Sequence, residues 1–318
     1  NEKQKALAYS IQSFLCNAGS LVGFLFPFIF TWIGISNIAP QGVVPDSVIY
    51  SFYIGAAILI LCVIYTTVKV KEMPPAEYAE YHGITEEEKK EKINMVKLLV
   101  KAPKAFWTVG LVQFFCWFAF MFMWTYTNGS VAANVFDAPT VETVVNGANK
   151  VVLDTKSIQY QNAADWVGVL FTVQAIGSVL WAVCIPMFKN RKLIYSLSLV
   201  LGGIGFISTY FVHNQYVLFI SFLLIGCAWA AMLALPFTIL TNALSGGHMG
   251  TYLGLFNGTI CIPQIVAATL GGSILALFTP KGMLPPEINM LVMAGVMLII
   301  GAVCVYLIKE TKGEQAKA

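Results

Sequence analysis

Charge is what this chain has least of. Asp, Glu, Lys and Arg make up 11% of its 318 residues, against about 25% in a soluble domain. With 58% hydrophobic residues and a mean hydropathy of +0.74, a soluble globular fold is excluded. The net charge of +3 is too small for a nucleic-acid footprint, so no nucleic-acid partner is expected, and it fits basic loops at a membrane face. Catalytic residues are scarce too. His82, His213 and His248 sit in loops, paired with no Ser or Cys nucleophile and no metal-ligand set. Neither a phosphate-binding Walker loop nor a glycine-rich nucleotide fingerprint occurs. No enzyme activity, metal or cofactor is expected. All seven cysteines lie in apolar stretches, at spacings that match no disulfide framework, and read as small packing residues. Asn128-Gly129-Ser130 matches a glycosylation sequon, a pattern short enough to arise by chance.

What the chain does have is long apolar runs. Eight cover about 6–33, 48–68, 105–127, 166–188, 193–212, 216–243, 250–278 and 288–308, with no Asp, Glu, Lys or Arg inside. Each approaches the ~20 residues that cross a ~30 Å hydrocarbon core. The fold expected is all-α and integral to the membrane. An even number of spans puts both termini on one side. Sixteen of the 19 basic residues then share that side, and only Lys150, Lys156 and Lys281 lie opposite. Lys and Arg are retained in the cytoplasm, so the termini are assigned there.

The charged segment 69–104 divides the chain. Two spans, within 1–68, precede it and six, within 105–318, follow. That is the layout expected of a twelve-helix transporter built from two six-helix bundles, with 69–104 as the cytoplasmic central loop. The chain starts at Asn1 and runs almost at once into a span, without a signal-peptide pattern. It is expected to be a fragment lacking four upstream helices. The external segment 128–165 is long for a connector. Its residues 141–153 carry two β-prone runs around Asn146-Gly147, which predicts a hairpin. Glycines recur in the spans, among them Gly19, Gly23, Gly202, Gly203, Gly205, Gly250, Gly254, Gly258, Gly271 and Gly272. Such residues let helices approach closely in lipid.

Uncharged polar and aromatic residues form helical stripes. Ser13, Asn17, Ser20 and Phe24 make one, and Gln113, Trp117, Phe120 and Trp124 another. Gln174, Ser178 and Trp181 share a face, as do Asn257, Cys261 and Gln264. Singly, such groups serve as interhelical glue or interface anchors. Together they predict a central polar cavity, with Ser13, Asn17, Gln113, Trp117, Trp124, Gln174, Asn257 and Gln264 as candidate substrate-binding residues. Amides hydrogen-bond hydroxyls and aromatic rings stack on sugar faces. A phosphorylated or carboxylate substrate would call for an Arg or Lys clamp, which these spans lack. A neutral sugar is favoured.

The same residues resemble the sucrose/maltose–proton symporter branch of the glycoside–pentoside–hexuronide transporters, within the major facilitator superfamily. Met249-Gly250-Thr251-Tyr252-Leu253-Gly254-Leu255-Phe256-Asn257, followed by Ile262-Pro263-Gln264, resembles that family's eleventh helix. Gln12-Ser13-Phe14 with Gly19 and Gly23 resembles the fifth, and Gln113-Phe114-Phe115-Cys116-Trp117-Phe118 with Trp124 the seventh. Gly226-Cys227-Ala228-Trp229 through Leu235-Pro236-Phe237 is similar to the tenth. Lys189-Asn190-Arg191-Lys192 stands where the superfamily keeps a basic turn. The resemblance implies alternating access around a midplane site, a monomer in the plasma membrane (a bacterial inner membrane), a disaccharide such as sucrose or maltose as substrate, and protons as the coupling ion.

Two departures matter. Where plant members carry acidic residues, this chain has Thr125-Tyr126-Thr127-Asn128, and its external insert fits a bacterial subgroup better. No Asp, Glu, His, Lys or Arg lies in the interior of the eight spans. Asp165 is the nearest candidate, and the coupling carboxylate is expected upstream of Asn1. Another solute, sodium coupling, or a non-transport membrane subunit remain as alternatives.

Overall fold

The structure, a computed structural model, describes residues 2–36, 44–71, 74, 77, 81, 95–145, 148–188, 190–244 and 249–308. For 2–10, 13, 28, 144, 145, 148, 149 and 249 it describes the backbone alone. Ten α-helices occur among the described residues: α1 Glu2–Trp32, α2 Asp46–Lys69, α3 Met95–Val100, α4 Lys104–Asn134, α5 Ile158–Cys184, α6 Arg191–Ser208, α7 Leu218–Ala243, α8 Met249–Phe256, α9 Gly258–Phe278 and α10 Ile288–Cys304. Strands β1 Thr140–Val145 and β2 Ala148–Leu153 pair antiparallel between α4 and α5. Among the described residues, eight helical segments are long and apolar enough to cross a membrane. This is an all-α integral, multi-pass membrane protein, with one β-hairpin among the described residues.

Three departures from the hydropathy reading stand out. α4 runs to Asn134 rather than 127, and α5 begins at Ile158 rather than 166. The non-helical part of the insert therefore narrows to 135–157. Beyond 127, Ser130 and Asn134 satisfy themselves within the helix: Ser130 Oγ donates to Tyr126 O at 2.7 Å and Asn134 Nδ2 to Ser130 O at 2.8 Å. A polar composition that hydropathy reads as loop thus stays helical. The Ser157 side chain caps α5 by accepting from Tyr160 N. The span over 250–278 is two helices meeting at Asn257, which Pro263 follows one and a half turns on. The hairpin matches the expected one, with Val145 opposite Ala148, while 146–147 and the acidic–basic run at 86–92 lie outside the described residues.

The chain forms two compact units. The smaller comprises 26–102 and 245–252. There α1 ends on Gly34, whose φ of +95° closes a Schellman turn: Gly34 N donates to Thr31 O and Ile35 N to Phe30 O. Tyr252 Oη donates to Leu98 O at 3.3 Å.

The larger unit holds 1–25, 103–244 and 253–318. Its helices pack α4 on α9 and α10, α5 on α7, and α6 on α7 and α10. Lipid offers little hydrophobic drive, so close backbone contact and hydrogen bonds hold such a bundle. A side chain at Gly203 would come within 2.9 Å of Gly295 O, and one at Gly295 within 2.7 Å of Gly203 O. α6 and α10 therefore touch backbone to backbone. Gly226 sits equally close to the Gln174 carbonyl, joining α7 to α5. Polar ties add to these: Trp181 Nε1 donates to Ser198 Oγ at 2.8 Å, Ser196 Oγ to Ala302 O at 3.0 Å, and Ser208 and Ser221 share a 2.8 Å bond.

Candidate functional site

The strongest cluster grows from one face of α4. Gln113, Trp117, Phe120 and Trp124 fall on one side of that helix, as their spacing requires. α7 supplies the opposite wall through Trp229 and Met232. Trp229 meets Trp117 and Trp124 edge-on, at ring-centroid distances of 5.8 Å each, and Phe120 at 4.9 Å. Trp117 and Trp124 are 6.4 Å apart. All four distances lie in the range of favourable aromatic pairs. Trp117 is only 9% exposed, whereas Trp124 is 41% exposed. The cluster is thus closed at one end and open at the other.

Gln113 is fully buried, and α7 explains why. Pro236 has no N–H, so the Met232 carbonyl one turn earlier loses its helical donor. Gln113 Nε2 reaches that carbonyl at 3.4 Å. Its Oε1 is buried without a hydrogen-bond partner among the described residues, and so is Trp117 Nε1. One bare acceptor and one bare donor thus lie one turn apart on the same face. Leaving such groups unpaired costs about 1–3 kcal/mol each. This face suits a ligand that both donates and accepts, and that offers a surface for aromatic contact.

The other candidates separate into two sets. Asn17 is 1% exposed and accepts from Ser178 Oγ at 3.0 Å, tying α1 to α5. Gln174 lies one turn from Ser178 and is 5% exposed. This pair is at once interhelical glue and a polar patch. Trp181, on the same stripe, is committed to Ser198. On α9, Gln264 turns its amide back to Ile260 O at 3.1 Å, and Asn257 is exposed. Neither hydrogen-bonds to the α4 cluster among the described residues. The Ser13 side chain lies outside the described residues.

Two residues escaped the stripe reading. Trp229 enters only through the family resemblance of the stretch 226–237, although Pro236 on the same helix signals a freed carbonyl that needs a donor. Glu287 falls in a connector by hydropathy, yet its carboxylate packs against Gly129 of α4. Burial pushes its pKa up to about 7. Asp165, the earlier titratable candidate, is exposed on α5. The sequon asparagine, Asn128, lies on α4 and is half-buried, its Nδ2 donating to Tyr160 Oη at 2.8 Å. No group of three or more His, Cys, Asp or Glu side chains among the described residues could hold a metal.

A family model described as Major Facilitator Superfamily matches residues 131–318. No curated protein matches the chain.

Proposed function

The chain belongs to the Major Facilitator Superfamily, and on that premise we propose that this membrane transporter moves a neutral sugar, a disaccharide such as sucrose or maltose, by alternating access coupled to protons. The observation that carries the reading is the pair Gln113 Oε1 and Trp117 Nε1, buried and, among the described residues, unpaired within an uncharged tryptophan cluster. A sugar hydroxyl donates to the first and accepts from the second, and a ring face packs on Trp117, Trp124 or Trp229. An anionic solute would leave its charge uncompensated against that surface. Asn17, Gln174, Asn257, Gln264 and Ser13 are proposed as secondary contacts made as the helices move. The segment 69–104 serves as the cytoplasmic loop between bundles, and the protein acts as a monomer in the plasma membrane.

The test is uptake of labelled disaccharide into proteoliposomes holding the full-length protein, with and without a pH gradient. Accumulation that follows the gradient supports the proposal. Uptake that ignores disaccharides, or that follows sodium alone, rejects the sugar or the proton respectively.

A further inference from the structure

We propose that Glu287 is a proton-binding site at the junction of α4, α5 and α10, on the face that the basic residues assign as external, and that its protonation fastens α4 to α10 there. The idea rests on the transporter reading for its consequence, but the site itself stands on its surroundings.

Glu287 is the residue that opens α10, where a carboxylate ordinarily caps the free amides of the helix. It makes no such side-chain bond. The carboxylate instead lies on the backbone of α4: a methyl group at Gly129 would overlap it outright. Only a glycine admits the carboxyl group here. Next along α4, Asn128 donates to Tyr160 Oη of α5, but its own Oδ1 is buried with no hydrogen-bond partner among the described residues. An ionised carboxylate is acceptor-only and cannot relieve that oxygen. A protonated carboxyl brings the O–H donor that this junction lacks.

The electrostatics agree. Among the described residues no basic side chain stabilises the charge on Glu287, and burial displaces its pKa from 4.5 to about 7. The titratable groups facing it are Tyr126 of α4 and Tyr160 of α5, which both feel its charge. On the other side, Pro286, Ile288 and Asn289 line a cavity of about 510 Å³ with Asn134, Tyr210 and His213. Residues on both sides of Glu287 in sequence line that cavity, which is open to solvent water. In the neutral form the carboxyl stays packed on Gly129. In the ionised form desolvation favours its withdrawal toward this water, which loosens α4 from α10. α4 also carries Gln113 and Trp117, so a proton held at Glu287 bears on the helix that holds the proposed sugar site.

Infrared difference spectroscopy of the full-length protein in lipid tests this without any substrate. The carbonyl band of a protonated carboxyl should appear as pH falls through about 7. It should be absent in Glu287→Gln and retained in His213→Gln. Gly129→Ala, which displaces the carboxyl into water, should move the midpoint toward the ordinary carboxylate range. In proteoliposomes, Glu287→Gln should flatten the dependence of uptake on external pH. A band that survives Glu287→Gln, or that disappears in His213→Gln, overturns the proposal. If the band titrates as described but no disaccharide is taken up, the sugar reading fails and the proton site stands. If proton-driven sugar uptake is unaltered in Glu287→Gln and no band is lost, the reverse holds.

Discussion

α4 carries two polar clusters about four turns apart, and they differ in kind. Around Gln113 and Trp117 the unpaired atoms are neutral, flanked by Trp124, Trp229 and Phe120. Around Asn128 and Gly129 the unpaired oxygen lies beside a carboxylate whose charge burial disfavours. The first environment can discriminate ligands by shape and hydrogen bonding but cannot respond to pH. The second responds to pH and offers little surface to a ligand. One helix thus joins a place suited to recognition with a place suited to a proton. Placing them at different depths keeps the uncompensated charge out of the apolar middle of the bundle, where it would cost most.

The largest effect expected separates the two ends by pH. Glu287 holds its proton more tightly in the folded protein than in the unfolded chain. Its stabilising contribution is therefore complete below the ordinary carboxylate pKa and is lost as pH rises toward about 7. A displacement from 4.5 to about 7 is worth at most about 3 kcal/mol. Thermal unfolding in detergent should show the wild type losing stability across that window, with Glu287→Gln nearly level. Parallel curves for the two proteins would erase the contrast. Trp117→Ala should behave in the opposite way. It should weaken disaccharide binding by about 1–3 kcal/mol, the range for a buried aromatic contact, at every pH tested. Titration calorimetry gives the number, and an unchanged Kd would remove Trp117 from the site.

A smaller effect is expected of Tyr160→Phe. It removes the oxygen that accepts from Asn128 Nδ2 and should cost about 1 kcal/mol of stability, while sugar affinity stays put. A drop in affinity would mean that the two ends of α4 are one site rather than two.

Much of this arrangement is legible in the sequence, for identifiable reasons. The spans follow from the lack of charge, and the hairpin strands follow from Val-rich runs around an Asn-Gly pair. Gln113, Trp117 and Trp124 follow from a 3.6-residue period, because a stripe on one helix needs no knowledge of its neighbours. What crosses between helices does not show in one dimension. Gly203 and Gly295 are packed backbone to backbone, while Gly19, Gly250 and Gly272 meet nothing within 4 Å, although all five read alike as small residues in apolar runs. Trp229 becomes part of the cluster only when α7 is laid against α4. Glu287 reads as a solvated loop residue until the fold sets it on Gly129. The end of α4 is hidden from hydropathy because Ser130 and Asn134 bond back into their own helix, and hydropathy counts against them hydrogen bonds they have already made.

The finest test concerns Gln113, where glue and recognition make opposite forecasts. As glue, Gln113 serves the Met232 carbonyl that Pro236 leaves without a helical donor. Gln113→Leu would then orphan a carbonyl and lower stability by about 1 kcal/mol or more. As a recognition group, Gln113 also carries an acceptor that is buried and unpaired. Leu has a similar volume and removes that liability along with the bond. The bond it removes is long, at 3.4 Å, and so is weaker than a typical one. The two changes should nearly cancel in stability, within about 0.5 kcal/mol. Binding has no such cancellation, because the sugar hydroxyl loses its acceptor and gains nothing. Disaccharide affinity should fall by about 0.5–1.5 kcal/mol, the worth of one neutral hydrogen bond. Thermal unfolding and calorimetry on the same preparation read both quantities. A protein that loses stability yet binds as before would make Gln113 a strut for α7, and would leave the tryptophans to recognise the substrate by themselves.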